Sequence, residues 1–224
     1  MIITISRQFG AGGSEVARRV AAALEWRVVD NELVDQVAQR AGLPKEAVAQ
    51  KDERAPGFIE RLARALTRSA PELFPAPAEK VPEPEEAALV RVTETVVAEL
   101  AAEGRVVLVG RAAPAVLRGE HDAMHVKLVA PVAQRLRAAV ERLGVDPKEA
   151  EKVLQETDAN RARYLKQYYG RDWEDTTNFH LVLNTGALGV PESVAIIVGS
   201  ARRRWGARLS APAAPPPSRN PRSG

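Results

Sequence analysis

Cysteine is absent from this chain of 224 residues, which excludes disulfide scaffolds, thiolate zinc sites and cysteine nucleophiles together. Histidine is scarce as well. His121, His125 and His180 are the whole supply, too few and too scattered for a multi-histidine metal centre. Aromatic residues amount to 4%, which argues against the stacking platforms of single-strand nucleic-acid binders. No run approaches the roughly 20 apolar residues a membrane span requires. The chain opens on a strand-like run, Ile2-Ile3-Thr4-Ile5, without the pattern of a signal peptide. A soluble cytoplasmic protein without membrane contacts is the expectation.

What is present is globular: 45% hydrophobic and 27% charged residues, enough for one α/β domain with a buried core. The net charge of +3 is unevenly placed. Arg202, Arg203, Arg204, Arg208, Arg219 and Arg222 follow residue 200 with no acid among them, whereas residues 1–200 hold 26 bases against 29 acids. No nucleic-acid partner is expected for the body, and only the basic tail is placed for weak contact with a polyanion.

Five short apolar or β-branched runs read as strands, at residues 2–5, 27–29, 105–109, 124–129 and 180–183. Most are apolar throughout, as strands covered on both faces of a parallel sheet must be. Helical spacing separates them. Val16, Ala17, Val20, Ala21 and Leu24 form one stripe, and residues 89–100, 131–143 and 191–200 behave alike, the last two with proline at the expected first helical position. Alternating strands and helices predict a parallel α/β sheet. Two segments break the rhythm, residues 31–86 and residues 144–178, the second beginning with the helix-entry signal Asp146-Pro147-Lys148-Glu149. Long interruptions of this kind are typically lids or binding loops. Residues 210–224 read as a disordered Pro/Arg-rich tail beyond a domain of residues 1–209.

The sharpest motif is Ser6-Arg7-Gln8-Phe9-Gly10-Ala11-Gly12-Gly13-Ser14-Glu15, between the first strand and the first helix. Glycines let successive N–H groups converge on a phosphate, and the helix adds its N-terminal dipole. Ser14 is suited either to capping that helix or to a phosphate-held magnesium ion. Two loop patterns fit in part. G-x-G-x-x-G begins at Gly10 and Gly12 but meets Glu15 at its third glycine, with Asp30 standing 20 residues after Gly10 where a ribose-binding acid belongs. G-x-x-x-x-G-K-[ST], aligned on Gly12, has Ser14 in place but Arg7 at the first glycine and Gly13 at the lysine.

The opening segment resembles that of the cytidylate-kinase-like proteins among the P-loop nucleoside-monophosphate kinases, a group in which the loop lysine is characteristically missing. Further matches are Val29-Asp30-Asn31-Glu32-Leu33, Val109-Gly110-Arg111-Ala112, Thr157-Asp158-Ala159-Asn160-Arg161-Ala162-Arg163-Tyr164, Tyr169-Gly170-Arg171-Asp172-Trp173 and Leu183-Asn184-Thr185. They cover roughly residues 1–200 in the family's order. The resemblance implies a three-layer P-loop kinase fold with a five-stranded parallel sheet. It also implies a helical acceptor-binding insertion at residues 31–86 and a mobile lid at residues 144–178. Cytidylate kinases proper carry the loop lysine and an aspartate after the glycine-arginine pair; here those positions are Gly13 and Ala112.

The implied activity is ATP- and magnesium-dependent phosphoryl transfer to a nucleoside monophosphate, CMP or dCMP first. Gly10, Ala11, Gly12, Gly13, Ser14 and Glu15 would hold the donor phosphates, with Ser14 on magnesium. Arg161, Arg163, Lys166 and Arg171 would be the lid's cations, or else only a solvated helix face. Arg7, planar and permanently charged, is the candidate to replace the lysine. Arg111 would hold the acceptor phosphate or merely close a strand. Asp30 would bind ribose or a magnesium-bound water, or cap a helix. Asp158 belongs with the substrate contacts. Tyr164, Tyr168 and Tyr169 would stack on a base or pack within the lid, and Asp172-Trp173 would anchor it. Two other readings stand: a non-catalytic ATP-binding regulatory domain, favoured by Gly13 and Ala112, and a dinucleotide-dependent oxidoreductase, favoured by Gly10, Gly12 and Asp30.

Overall fold

The structure is a computed structural model and describes residues 1–30, 85–110 and 112–209. Nearly all of the expected insertion, Arg111 and the tail lie outside the described residues. Five strands, β1 (Ile2–Arg7), β2 (Arg27–Asp30), β3 (Val106–Val109), β4 (Ala123–Val129) and β5 (Leu181–Asn184), form one parallel sheet in the order β2-β3-β1-β4-β5. Register aligns Ile5 with Val109 on one side of β1 and with Val126 on the other. The central strands are almost entirely buried and the edge strands β2 and β5 are not, as expected for a sheet covered on both faces.

Side chains alternate across the strands, so each strand feeds two layers. On one face Ile3, Ile5, Val107, Val109, Met124, Val126 and Leu128 pack against α1 (Gly13–Leu24) and the long C-terminal helix over Thr185–Trp205. Val16, Ala17, Val20 and Ala21 form the stripe of α1 that the spacing predicts, and Trp26 closes the layer against Trp205 with ring centres 5.4 Å apart. Full burial of one such aliphatic side chain stabilises by about 1.5–3 kcal/mol. On the other face Ile2, Val106, Leu108 and Ala123 meet α2 (Glu85–Glu103) and the short helix α3 (Ala113–Val116).

The remaining helices are α4 (Val132–Leu143), α5 (Pro147–Tyr169) and the C-terminal helix, α6. The segment expected to be irregular at residues 144–178 is largely one helix of 23 residues. Asp146 starts it, accepting from the N–H groups of Lys148 and Glu149 at 2.9 and 3.1 Å with Pro147 in the first turn, and Gly170 in the left-handed region ends it. Pro131 proves to be the cap before α4 rather than its first residue. Helix α6 begins six residues before the expected Pro191, because Asn184 caps it through Gly186 and Ala187; its path breaks at Gly189 and resumes near Pro191. No helix among the described residues is long and apolar enough to cross a membrane.

Candidate active site

The glycine-rich segment leaves β1 after Arg7 and enters α1 at Gly13. Its shape is fixed from several sides. The Gln8 N–H donates to Leu128 O, Gln8 Oε1 accepts from the Ala130 N–H, and the Thr185 hydroxyl donates to Ala11 O at 2.9 Å. Gly10 has φ +79, and a Cβ there would lie 2.5 Å from the Arg135 carbonyl oxygen. Only glycine meets both demands. Gly12, also left-handed, is the cap of α1, so Ser14 is its second helical residue and not the cap. The first amides of α1 lack intrahelical acceptors, as at every helix start, and so remain available to an anion. The Glu15 side chain turns away along the helix to Arg18 and Arg19; the bond from Arg19, before all else, holds its carboxyl below the usual range.

At the ends of β1 and β3 lies a cavity of about 360 Å3. Its walls include Ser6, Arg7, Arg161, Arg171, Tyr164 and Trp173, together with Gly110 and Ala112 at the exit of β3. Three guanidinium groups and no carboxylate line it among the described residues, which suits an anionic ligand. Ala112, left-handed at φ 51, is part of the cavity wall.

Arg7 is 7% exposed and reaches Asp30 at the end of β2, with Nη2 to Oδ1 at 3.7 Å. Asp158, expected among the substrate contacts, engages the protein from three directions. It accepts from the Phe9 N–H at 2.8 Å, from Arg135 Nη1 at 2.6 Å and from Arg161 Nη1 at 3.0 Å. Arg161 Nη1 also donates to Arg7 O at 3.1 Å. One carboxylate thus ties α5 to the glycine-rich loop and to α4, and Phe9 seals the junction against Ala139, Ala150 and Leu154. Arg163 and Lys166 are exposed and do not line the cavity; Arg163 donates to Asn160 Oδ1 at 2.7 Å. The tyrosines pack on one another, Tyr164 lying 4.9 Å from Tyr168 and 6.1 Å from Tyr169 between ring centres, and Tyr164 also faces the cavity.

Two residues the sequence reading did not single out hold this arrangement. Arg135 bridges Ala130 O and Asp158. Lys127, 1% exposed in the middle of the sheet, donates to Trp173 O at 2.7 Å and Glu174 Oε2 at 3.0 Å, its ammonium 4.5 Å from the Trp173 ring centre. The Trp173 indole N–H donates in turn to Ser6 Oγ at 2.9 Å. The polar alternation Thr4, Ser6 on β1 and His125, Lys127 on β4 is the sequence signal that could have found Lys127. His125 completes that column. Its Nδ1 lies 2.8 Å from Thr4 Oγ1, and its main chain pairs with His180 in both directions. Burial, then the neighbouring His180, pushes its pKa down to about 4, so the ring is neutral near pH 7.

Sheet order, glycine turn and flanking helices define a P-loop kinase fold. The crystal structure of an uncharacterized protein from Eubacterium ventriosum has the same fold, with TM-score 0.63 at 22% identity over 91% of this chain and 98% of that one. The chain belongs to the cytidylate kinase-like family, which it matches over residues 2–187. It is 35% identical over 109 residues to a cytidylate kinase of Methanopyrus kandleri, covering 44% of this chain and 55% of that protein. A cytidylate kinase of Aeropyrum pernix is 36% identical over 107 residues, covering 47% and 61%. The matched part therefore spans little more than half the length of those relatives.

Proposed function

We propose that the chain transfers the γ-phosphoryl group of ATP to a nucleoside monophosphate, CMP or dCMP first. The observation that carries this reading is the glycine-rich turn that follows Arg7, itself one of three arginines, with Arg161 and Arg171, in the wall of the cavity. An oxygen of the acceptor phosphate attacks the γ-phosphorus, the bond to the β–γ bridging oxygen breaks, and ADP leaves with the bonding pair. Such transfer asks mainly for in-line positioning and neutralised charge. The amides of Gly10 to Glu15 would receive the donor phosphates, and the three arginines would face the group in flight. Tyr164, Trp173 and Phe179 offer apolar wall to a base.

Magnesium commonly takes one or two protein oxygens and completes its shell with phosphate and water, so the Ser14 hydroxyl in the first turn of α1 fits that role. When bound, the ion neutralises phosphate charge during transfer. Asp158 acts on this reading as a positioning residue that orients Arg161 and the loop, not as a substrate ligand. Family membership and the two cytidylate kinase relatives support the reaction class and the choice of acceptor to test first.

The test is diphosphate formation from magnesium-ATP with CMP, dCMP, UMP, AMP and GMP in turn. The expected result is turnover of CMP or dCMP well above an ATP-only control. ATP binding with no turnover of any member would contradict the proposal and support a regulatory nucleotide-binding role. Binding of NAD in preference to magnesium-ATP would support the oxidoreductase reading instead.

A further inference from the structure

Gly13 stands where the mononucleotide loop carries its lysine, and the space beside it is already filled. A Cβ at residue 13 would lie 2.5 Å from Arg7 Cγ, 2.9 Å from Arg7 Cβ and 3.3 Å from Arg7 Cδ. Real Cβ atoms do not approach other atoms so closely. Farther along the same side chain, a Cβ on Gly110 would collide with Arg7 Nη1. The arginine therefore runs from the end of β1 across the first residue of α1 to the exit of β3, where Asp30 meets its guanidinium. Backbone conformation does not demand glycine at residue 13, which is helical and absent from the left-handed glycines. In a helix alanine is intrinsically better than glycine. The room it leaves for the arginine stem is a reason for a glycine there.

We propose that Arg7 takes the place of the loop lysine and that Gly13 is a positioning residue whose missing side chain keeps its path open. The lysine is thus exchanged rather than lost: a long side chain at residue 13 and the arginine at residue 7 compete for one volume. The catalytic half of this proposal rests on the phosphotransferase reading; the steric half does not.

Thermal melting of the full chain separates the halves. Four proteins form a double-mutant cycle: native, Gly13→Ala, Arg7→Ala, and both together. The interlock predicts a change of sign. Gly13→Ala should lower Tm beside native Arg7, because the new Cβ strikes the stem. In the Arg7→Ala background it should raise Tm, by on the order of 2–4 °C, because only helix propensity remains. The same shift in both backgrounds would overturn the interlock. If Gly13→Ala does not fold, recovery of soluble protein in the double variant supports the interlock, and failure of both overturns it.

Turnover tests the exchange. Arg7→Ala should lose about 100- to 1000-fold in diphosphate formation, the scale of one preorganised charge contact. Arg7→Ala/Gly13→Lys should regain at least tenfold of that loss. No recovery, in a native chain that does turn over, overturns the exchange while leaving the interlock standing. A native chain that melts as expected but phosphorylates no monophosphate fails the phosphotransferase reading and takes the exchange with it.

Discussion

The two faces of β1 and β4 are built from opposite materials. On one, Ile3, Ile5, Met124, Val126 and Leu128 pack in a cluster of aliphatic and aromatic neighbours from α1 and α6. On the other, past Ile2 and Ala123, the same two strands present Thr4, Ser6, His125 and Lys127, each bonded to a specific partner. Burial on the first face is non-directional and stabilises whatever fills the volume. Burial on the second is useful only if every polar group finds its partner, and those partners fix the segment that carries Trp173 into the cavity wall. The contrast assigns stability to one face and placement of the site to the other. Arg7 ends β1 on the apolar side and carries a charge from it into the cavity wall.

The comparison can be broken at several depths. Replacing Arg7 by alanine should have the largest effect, the 100- to 1000-fold loss of turnover given above, with ATP binding by calorimetry retained. Ile5→Ala, a cavity made on the apolar face, should cost about 2–5 kcal/mol in chemical denaturation. Acceptor KM should stay near native in the folded fraction.

The polar face should respond to pH where the apolar face cannot. His125 has a folded pKa of about 4, below the value of 6.5 for a free side chain. Between those values the unfolded chain binds more protons, so stability should fall as pH drops from 6.5 toward 4, by up to about 3 kcal/mol. Denaturation at stepped pH checks this, and His125→Asn should flatten that part of the profile. Lys127→Met keeps the stem and removes the charge. The Trp173 carbonyl then lacks its partner, which should cost about 1–3 kcal/mol. Raised acceptor KM with little change in kcat is the kinetic sign expected of a loosened wall. The smallest effect should come from Asp146→Ala, about 1 kcal/mol for a lost cap, remote from both faces.

The apolar face was legible from the chain alone because its residues repeat with the periods of strand and helix. All five strands were found, and the stripe Val16, Ala17, Val20 and Ala21 lies where its spacing put it. The strand ends were harder. Ser6 and Arg7 look like loop, yet they pair in register with Lys127 and Leu128, and that pairing is non-local. The segment 144–178 looked irregular because α5 is charged and buries only Ala150, Leu154 and Leu165. The glycine turn between β1 and α1 was legible because its residues are contiguous. The bonds of Asp158 to Phe9 and of Lys127 to Trp173 were not, since they join residues 149 and 46 positions apart. The bonds of Asp158 to Arg135 and Arg161 were likewise beyond what its motif shows. A carboxylate in a motif shows its charge, but only the fold shows which cation and which amide already hold it.

The most direct test of the central claim is the rate of CDP formation from magnesium-ATP and CMP, measured side by side for the native chain and for Arg7→Ala at matched ATP saturation. The account predicts clear turnover by the native chain and a loss of about 100-fold or more in the variant, both proteins remaining folded. Equal rates in the two would contradict it, because the cation set across Gly13 would then have no part in the transfer.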